Sequence, residues 1–391
     1  MTEWKEYKLG DLIKDIAAGP FGSNLKVECF VESGFPIIDG ANLKGFKVTD
    51  NITKFVTEEK ARSLHRSIAK RNDVIVTISG NVGQIAYIPN DSKFIEYLVS
   101  QRQFRVSFDE SAIDVPYLVY YFHTREGQHK ILSFANQVGV PALAQPLKNF
   151  KAIELNLPSL PTQRRIASIL SSLDDKIDLL HRENKTLEAM AETLFRQWFI
   201  EEAKEDWEEG KLGDEFEFIM GQSPSGESFN EEGVGIPMYQ GNADFGFRFP
   251  TRRVFTTQPT RFAEINDTLI SVRAPVGDQN MATEKCCIGR GVAAFRYKDN
   301  SSFYSYTYYK LKSLLDDIKQ YNDNGTVFGS ISKSDFENID IMIPDKDTIL
   351  NFQKQVKPID DKIINNNYEI QTLTQQRDGL LPKLMSGEVE I

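Results

Sequence analysis

The chain has 391 residues, 40% of them hydrophobic and 26% charged, and a net charge of -10. That length suits two or three domains of ordinary globular composition. It excludes a transmembrane protein, having no run of 18 apolar residues; a disulfide scaffold, with only three cysteines; and a protein that grips nucleic acid by bulk charge alone.

The first element is a polar N-terminus, Met1-Thr2-Glu3-Trp4-Lys5-Glu6, without the apolar core of a signal peptide. With three unpaired thiols it suits a reducing, cytoplasmic setting. Trp4 to Asp11 then returns as Trp207 to Asp214. Gly34-Phe35-Pro36 through Gly40, Gly45 and Phe46 returns as Gly235-Ile236-Pro237 through Gly241, Gly246 and Phe247. Asn72-Asp73 and Gly83 return as Asn266-Asp267 and Gly277, and Asp174-Asp175-Lys176-Ile177 returns as Asp360-Asp361-Lys362-Ile363. The offset narrows from 203 at Trp4/Trp207 to 186 from Tyr117/Phe303 onward, so the matching blocks are joined by loops of different length. Solenoid repeats run roughly 20–50 residues. This is a duplicated domain.

Within each copy, Asp73–Ile78 and Phe104–Phe108, like Thr268–Val272 and Val292–Tyr297, have the β-branched and aromatic runs of strands. Pro116 sits at a helix start, and the aromatic stretches Tyr117–Phe122 and Phe303–Tyr309 suit core packing. A long helix closes each copy. Ile166, Leu170, Leu173, Ile177, Leu180, Asn184, Leu187, Ala191, Leu194 and Trp198 step by fours and threes. So do Phe352, Val356, Ile359, Ile363, Asn366, Ile370, Leu373, Arg377, Leu380 and Leu384. A 3.5-residue spacing held over about four heptads is a coiled-coil seam, and one buried Asn per seam fixes register. Pro358 is expected to kink the second helix or start its main segment, and Pro382 to loosen its last turn.

These elements divide the chain into a mixed domain over 1–157, a helix over 158–206, a second mixed domain over 207–343 and a second helix over 344–391. The charge balance is +1 in the first domain and -6 in the second. The expected fold is α+β: two homologous domains separated by a pair of long antiparallel helices, pseudo-twofold symmetric, with the termini close together. Residues 166–198 would span roughly 50 Å at ~1.5 Å per residue.

Catalytic chemistry is not expected of this chain. There is no Pro-Pro for an adenine methyltransferase motif, no phosphate-binding loop, and Gly289-Arg290-Gly291 lacks the rest of a cofactor loop. Pro344-Asp345 with Asp360-Asp361-Lys362 imitates a nuclease signature, but two of its carboxylates flank a helical seam instead of converging on a metal. They read as helix-flank charge available to a partner protein. The histidines are scattered and Cys286-Cys287 has no second pair, so no metal site is expected.

Gly19-Pro-Phe-Gly-Ser-Asn24, Leu157-Pro-Ser-Leu-Pro-Thr-Gln163, Leu173-Asp-Asp-Lys-Ile177, Leu194-Phe-Arg-Gln-Trp-Phe199 and Leu380-Leu-Pro-Lys-Leu-Met-Ser-Gly-Glu388, in this doubled order, resemble the specificity subunit of type I restriction–modification systems. Only Ile343-Pro-Asp-Lys-Asp-Thr348 departs from the family's wording, which leaves the start of the second helix open. The resemblance implies two target-recognition domains, each reading one half of a split double-stranded DNA sequence. The helices would space them and dock two methyltransferase subunits, with restriction subunits joining. S-adenosylmethionine, ATP and Mg would sit on those partners, none on this chain. A methylation-only assembly, or a coiled-coil adaptor with no DNA role, fits the composition equally.

Direct readout uses Arg or Lys toward guanine and Asn or Gln toward adenine. The loop positions that supply them in the first copy are Ser23, Asn24, Lys26, Asn42, Lys44, Lys47, Asn81, Gln84, Gln101 and Arg102. In the second copy they are Gln222, Ser223, Ser225, Asn242, Arg248, Arg252, Arg253, Arg273, Gln279 and Arg290. Asn136-Gln137 and Asn324-Gly325-Thr326 are second-rank positions at the next matching loop.

Overall fold

The computed structural model describes residues 4–136, 140–320 and 329–389; Gln137 and Asn324-Gly325-Thr326 lie outside the described residues. The chain forms two compact units, Met1–Leu179 with Ile370–Ile391, and Leu180–Glu369.

Both units are built to one plan. In the first, an antiparallel four-stranded sheet runs in the order Ile13–Ala18, Gln103–Phe108, Val74–Thr77, Ile85–Tyr87. In the second, Phe216–Met220, Val292–Tyr297, Thr268–Ser271 and Gln279–Met281 repeat it. A five-stranded sheet joins each. Its one parallel pair is Phe35–Ile38 with Glu96–Val99 in the first unit and Ile236–Tyr239 with Cys286–Ile288 in the second. The strands expected from the β-branched runs are therefore present. The recurring Asn-Asp makes the turn before the central strand. Asn72 and Asn266 take left-handed backbone at φ 66° and 69°, which asparagine tolerates better than most side chains. The following carboxylates, Asp73 and Asp267, accept the Lys70 and Glu264 amides at 2.9 and 2.8 Å.

The aromatic stretches are core. Val115–His123 is a helix capped by Asp114, with Tyr117 through Phe122 buried, and Tyr304–Ser313 is its buried counterpart. Behind the latter lies Glu215, which accepts a 2.8 Å hydrogen bond from Tyr306. Burial raises its carboxyl to about 7 from an ordinary 4.5. Between those values the folded state holds a proton that the unfolded chain has released, so this group makes stability fall as pH rises through that window. Glu215→Gln should therefore lose less melting temperature than the wild type between pH 5 and pH 8, by several degrees; parallel melting curves would refute this role of Glu215.

Two long helices run from Leu160 to Arg196 and from Lys346 to Ser386. The second corrects one expectation, for it does not start at Pro358, and its helical assignment continues through Pro358 and Pro382. Both prolines are on its exposed side, where a carbonyl deprived of its amide partner can turn to water. The helix instead begins after Asp345. That carboxylate accepts the Thr348 amide at 2.9 Å, Lys204 Nζ at 2.7 Å and Trp207 Nε1 at 3.2 Å. The Lys204 hydrogen bond, with the Thr348 and Trp207 donors, holds it well below the usual carboxylate range. Asp345 is thus an N-cap, and at 15 residues along one helix it stands about 22 Å from Asp360, too far to share a metal.

In the second unit the two helices run antiparallel, for Asn366 Nδ2 donates to Asn184 Oδ1 at 2.8 Å while Phe195 meets Phe352 at 5.7 Å between ring centres. Leu180, Leu187, Leu194, Ile359 and Ile363 fill the seam around that buried asparagine pair. In the first unit Leu173, Ile177, Ile370, Leu373 and Leu380 are likewise buried or half-buried, and Leu381, Leu384 and Met385 join the core containing Ile166 and Leu170. The chain ends meet in this unit: a Cβ at Gly387 would lie 3.3 Å from the Trp4 ring. Among the described residues no helix is long and apolar enough to cross a membrane.

Candidate nucleic-acid interface

In the first unit, the chain passes from one sheet to the other at Ser100-Gln101-Arg102, between Glu96–Val99 and Gln103–Phe108. Gly19 must lie close to this crossover. Its amide donates to the Gln103 carbonyl at 2.8 Å, and a Cβ there would fall 1.9 Å from the Ser100 carbonyl oxygen. The Ile78 amide donates to the Arg102 carbonyl at 2.7 Å, and Gly80 turns the next loop at φ 87°, a conformation that favours glycine. Together these loops surround an open cleft of about 550 Å³.

Asn81, Gln84, Gln101 and Arg102 all line that cleft. Asn81, Gln101 and Arg102 are exposed, and among the described residues their side chains make no hydrogen bond or ion pair. Gln84 Oε1 accepts from Thr77 at 3.3 Å. Ser23, Asn24 and Lys26 are exposed on the adjoining turn, and Lys44 is exposed further along the chain. Among the lining residues that escaped the sequence reading are the polar Asp39, Lys54, Thr77, Ser79, Ser100 and Gln103. All sit in or beside strands, where no loop signal marks them.

The second unit repeats the frame. Gly221 donates to the Val292 carbonyl at 2.9 Å, Val272 donates to the Gly291 carbonyl at 2.9 Å, and the Arg290 amide donates to Ser223 Oγ at 3.2 Å. Arg273, Arg290, Gln222 and Ser223 are therefore held at the same crossover. Arg273, Arg290 and Gln222 are exposed, as is Ser225, and Asn242 is half-exposed. Arg252 and Arg253 are exposed but tied to Glu284 at 2.5 Å and Asp244 at 2.8 Å.

Four residues leave the set of base-reading candidates. Asn42 is buried; it accepts the Asp39 amide at 3.0 Å and donates to the Thr49 and Asn51 carbonyls at 3.3 and 3.1 Å. Gln279 donates to the Tyr308 carbonyl at 2.7 Å. Lys47 pairs with Asp175 on the first long helix. Arg248, at the position of Lys47 in the second copy, is 1% exposed and cannot reach a base without unfolding its surroundings.

Arg248 instead fastens the second domain to its helices. Its guanidinium donates to Asp360 at 2.8 Å and to the Tyr309 hydroxyl at 3.0 Å, lies 3.6 Å from Glu188, and covers the Tyr308 ring at 3.4 Å. Burial alone would lower its pKa; Asp360, the two tyrosines and Glu188 outweigh burial and hold it above its ordinary value. In the first unit Asp174, the repeat counterpart of Asp360, is buried and accepts from Tyr120 and, at 2.7 Å, from Arg377. The first Asp of the repeated Asp-Asp-Lys-Ile is thus an internal latch, which corrects its reading as flank charge open to partners, while Asp175, Lys176, Asp361 and Lys362 stay on the exposed flank as expected. Asp175 and Asp361 pair with Lys47 and Lys357. Among the described residues no group of three or more His, Cys, Asp or Glu is placed to hold a metal.

Comparison with known proteins agrees with this architecture. The chain is 28% identical over its full length to a protein described as a type I restriction enzyme MjaX specificity subunit of Methanocaldococcus jannaschii, of which 94% is covered. It is 23% identical over its full length to all of the type I restriction enzyme HindI specificity subunit of Haemophilus influenzae. Its fold is similar, with a TM-score of 0.62 at 20% identity, to the crystal structure of the type I restriction–modification S subunit from M. genitalium, 98% of this chain matching 96% of that one. The family model for the type I restriction modification DNA specificity domain matches residues 1–189 and again 204–376, so the chain belongs to the type I restriction–modification specificity subunits, a family in which catalysis lies on partner subunits.

Proposed function

We propose that each unit reads one half of a bipartite DNA target, through the loops where its two sheets exchange the chain. The observation that carries this reading is the doubled crossover, with unpaired Arg102, Gln101 and Asn81 in one unit and exposed Arg273, Arg290 and Gln222 in the other. These are the side chains that discriminate guanine and adenine edges, held on strand ends that pay little further ordering cost. The helices running out of each unit supply the spacing and the docking surface for two methyltransferase subunits, with restriction subunits joining the same assembly in the cytoplasm. S-adenosylmethionine, ATP and Mg belong to those partners. The net charge of -10 fits a protein whose partners make much of the phosphate contact, since neutralising phosphates takes many cations.

The test is selection from random duplex DNA by the chain in complex with its methyltransferase partner. Two short preferred blocks at a fixed separation are expected. Recovery of DNA with no sequence preference would overturn the proposal, and would favour an adaptor without a DNA role.

A further inference from the structure

The cleft of the first unit has a shape that groove readout does not explain. A groove receives an element that protrudes from the protein. A concave cleft receives something that protrudes from the duplex, which means a phosphate or an unstacked base. The lining is mostly neutral: of its two cations Lys54 is neutralised by Asp39 at 2.7 Å, and Arg102 stands exposed beside the uncharged Thr77, Gln84, Ser100 and Gln103. Leu25, Val27, Phe30 and Ile37 line the cleft together with Thr77, Gln84, Ser100 and Gln103. Apolar surface in one cleft with hydrogen-bonding groups suits the face and edge of a nucleobase.

One polar group of the lining is left without a protein partner. Gln103 is 2% exposed. Its Oε1 accepts from Ser100, yet among the described residues its amide nitrogen has no acceptor. Gly40 leaves the space before it open: a Cβ there would lie 3.6 Å from Gln103 Nε2 and 3.3 Å from Gln84 Oε1. Phe21, 83% exposed, is not part of the lining but sits on the adjoining turn, where a Cβ at the neighbouring Gly22 would fall 2.7 Å from Gln101 Oε1. An apolar ring that gains nothing from water is a wedge that can occupy the gap left by an extruded base.

The duplication supplies an internal control. The hydrogen bond from Gly19 to the Gln103 carbonyl, 2.8 Å, recurs from Gly221 to Val292 at 2.9 Å. That register puts Ser223 where the first unit has Phe21, and Val292 where it has Gln103. The second unit keeps the frame but lacks both the wedge and the amide. We propose that the first unit, and not the second, takes one base of its half-site out of the helical stack, with Phe21 as the wedge and Gln103 and Gln84 reading the extruded edge. This rests on the DNA-reading proposal above and sharpens it.

The experiment uses the chain with its methyltransferase partner and duplexes carrying the selected target. The nucleotide opposite each half-site position is made abasic in turn, which removes the pairing energy an extruding protein must spend. At one position of the half-site read by the first unit, binding should tighten about tenfold, and 2-aminopurine placed there should brighten. Phe21→Ala, a change at an exposed side chain that spares the fold, and Gln103→Leu should each abolish the gain. A gain that appears equally in both half-sites and survives Phe21→Ala belongs to the methylated adenine and would overturn the proposal. So would sequence preference on intact duplex with no gain at any position. Loss of all sequence preference on intact duplex would refute the DNA-reading proposal beneath it.

Discussion

Replacing Asp360 by alanine should destabilise the second unit by about 3–5 kcal/mol, because the change strands a buried guanidinium. Arg248 is 1% exposed. Without Asp360 it keeps Glu188 at 3.6 Å, the Tyr309 hydroxyl at 3.0 Å and the Tyr308 ring at 3.4 Å, but no hydrogen-bonded carboxylate. In a unit of this size that corresponds to a melting temperature lower by about 10 °C. Two comparisons separate this account from a general sensitivity of the helix. Asp361→Ala, beside it, removes a half-exposed pairing with Lys357 and a long 3.3 Å hydrogen bond from Tyr304, and should cost only about 1 kcal/mol. Arg248→Met combined with Asp360→Leu should recover much of the loss, since an apolar replacement of a buried pair leaves no orphan charge. Equal melting of Asp360→Ala and Asp361→Ala would refute the latch.

Arg102→Ala and Arg273→Ala should each flatten base preference in one half of the target and leave the other half alone. An arginine forked onto a guanine edge is worth about 1–3 kcal/mol of discrimination, so roughly 5- to 150-fold in relative binding at one position is expected. Both side chains are exposed and lie outside the cores of their units, so melting should be unchanged. Competition binding against single-base variants of each half-site reads the effect. If either substitution weakened all sequences uniformly, its arginine would be a phosphate contact and not a base reader. If both altered the same half-site, the assignment of one half to each unit would fail.

Much of this architecture is written in local pattern. The runs at Val74–Thr77 and Val292–Tyr297 mark their strands because β-branched and aromatic side chains suit a pleated, half-buried surface. The 3.5-residue steps through Leu180, Asn184, Leu187 and Ile363, Asn366, Ile370 mark the seam because side-chain direction follows backbone period. The doubling of Trp4 to Asp11 and of Asn72-Asp73 marks the two units without any coordinate. Strands such as Phe30–Val31 and Phe55–Val56 are two residues long, too short to carry a period.

The sequence by itself therefore determined the duplication, the helices with their asparagine pair, and the family. Only the tertiary structure decided the fate of individual polar side chains. Lys47 and Arg248 hold one position in the repeat, yet the first is half-buried against Asp175 and the second fully buried against Asp360. Likewise Gln103 looks like any strand residue until the turn at Gly19 and the loop at Gly40 close around its amide. Period is set by neighbours along the chain. The burial of a charge or an amide is set by partners as far away as the 112 residues between Arg248 and Asp360, and no local pattern records them.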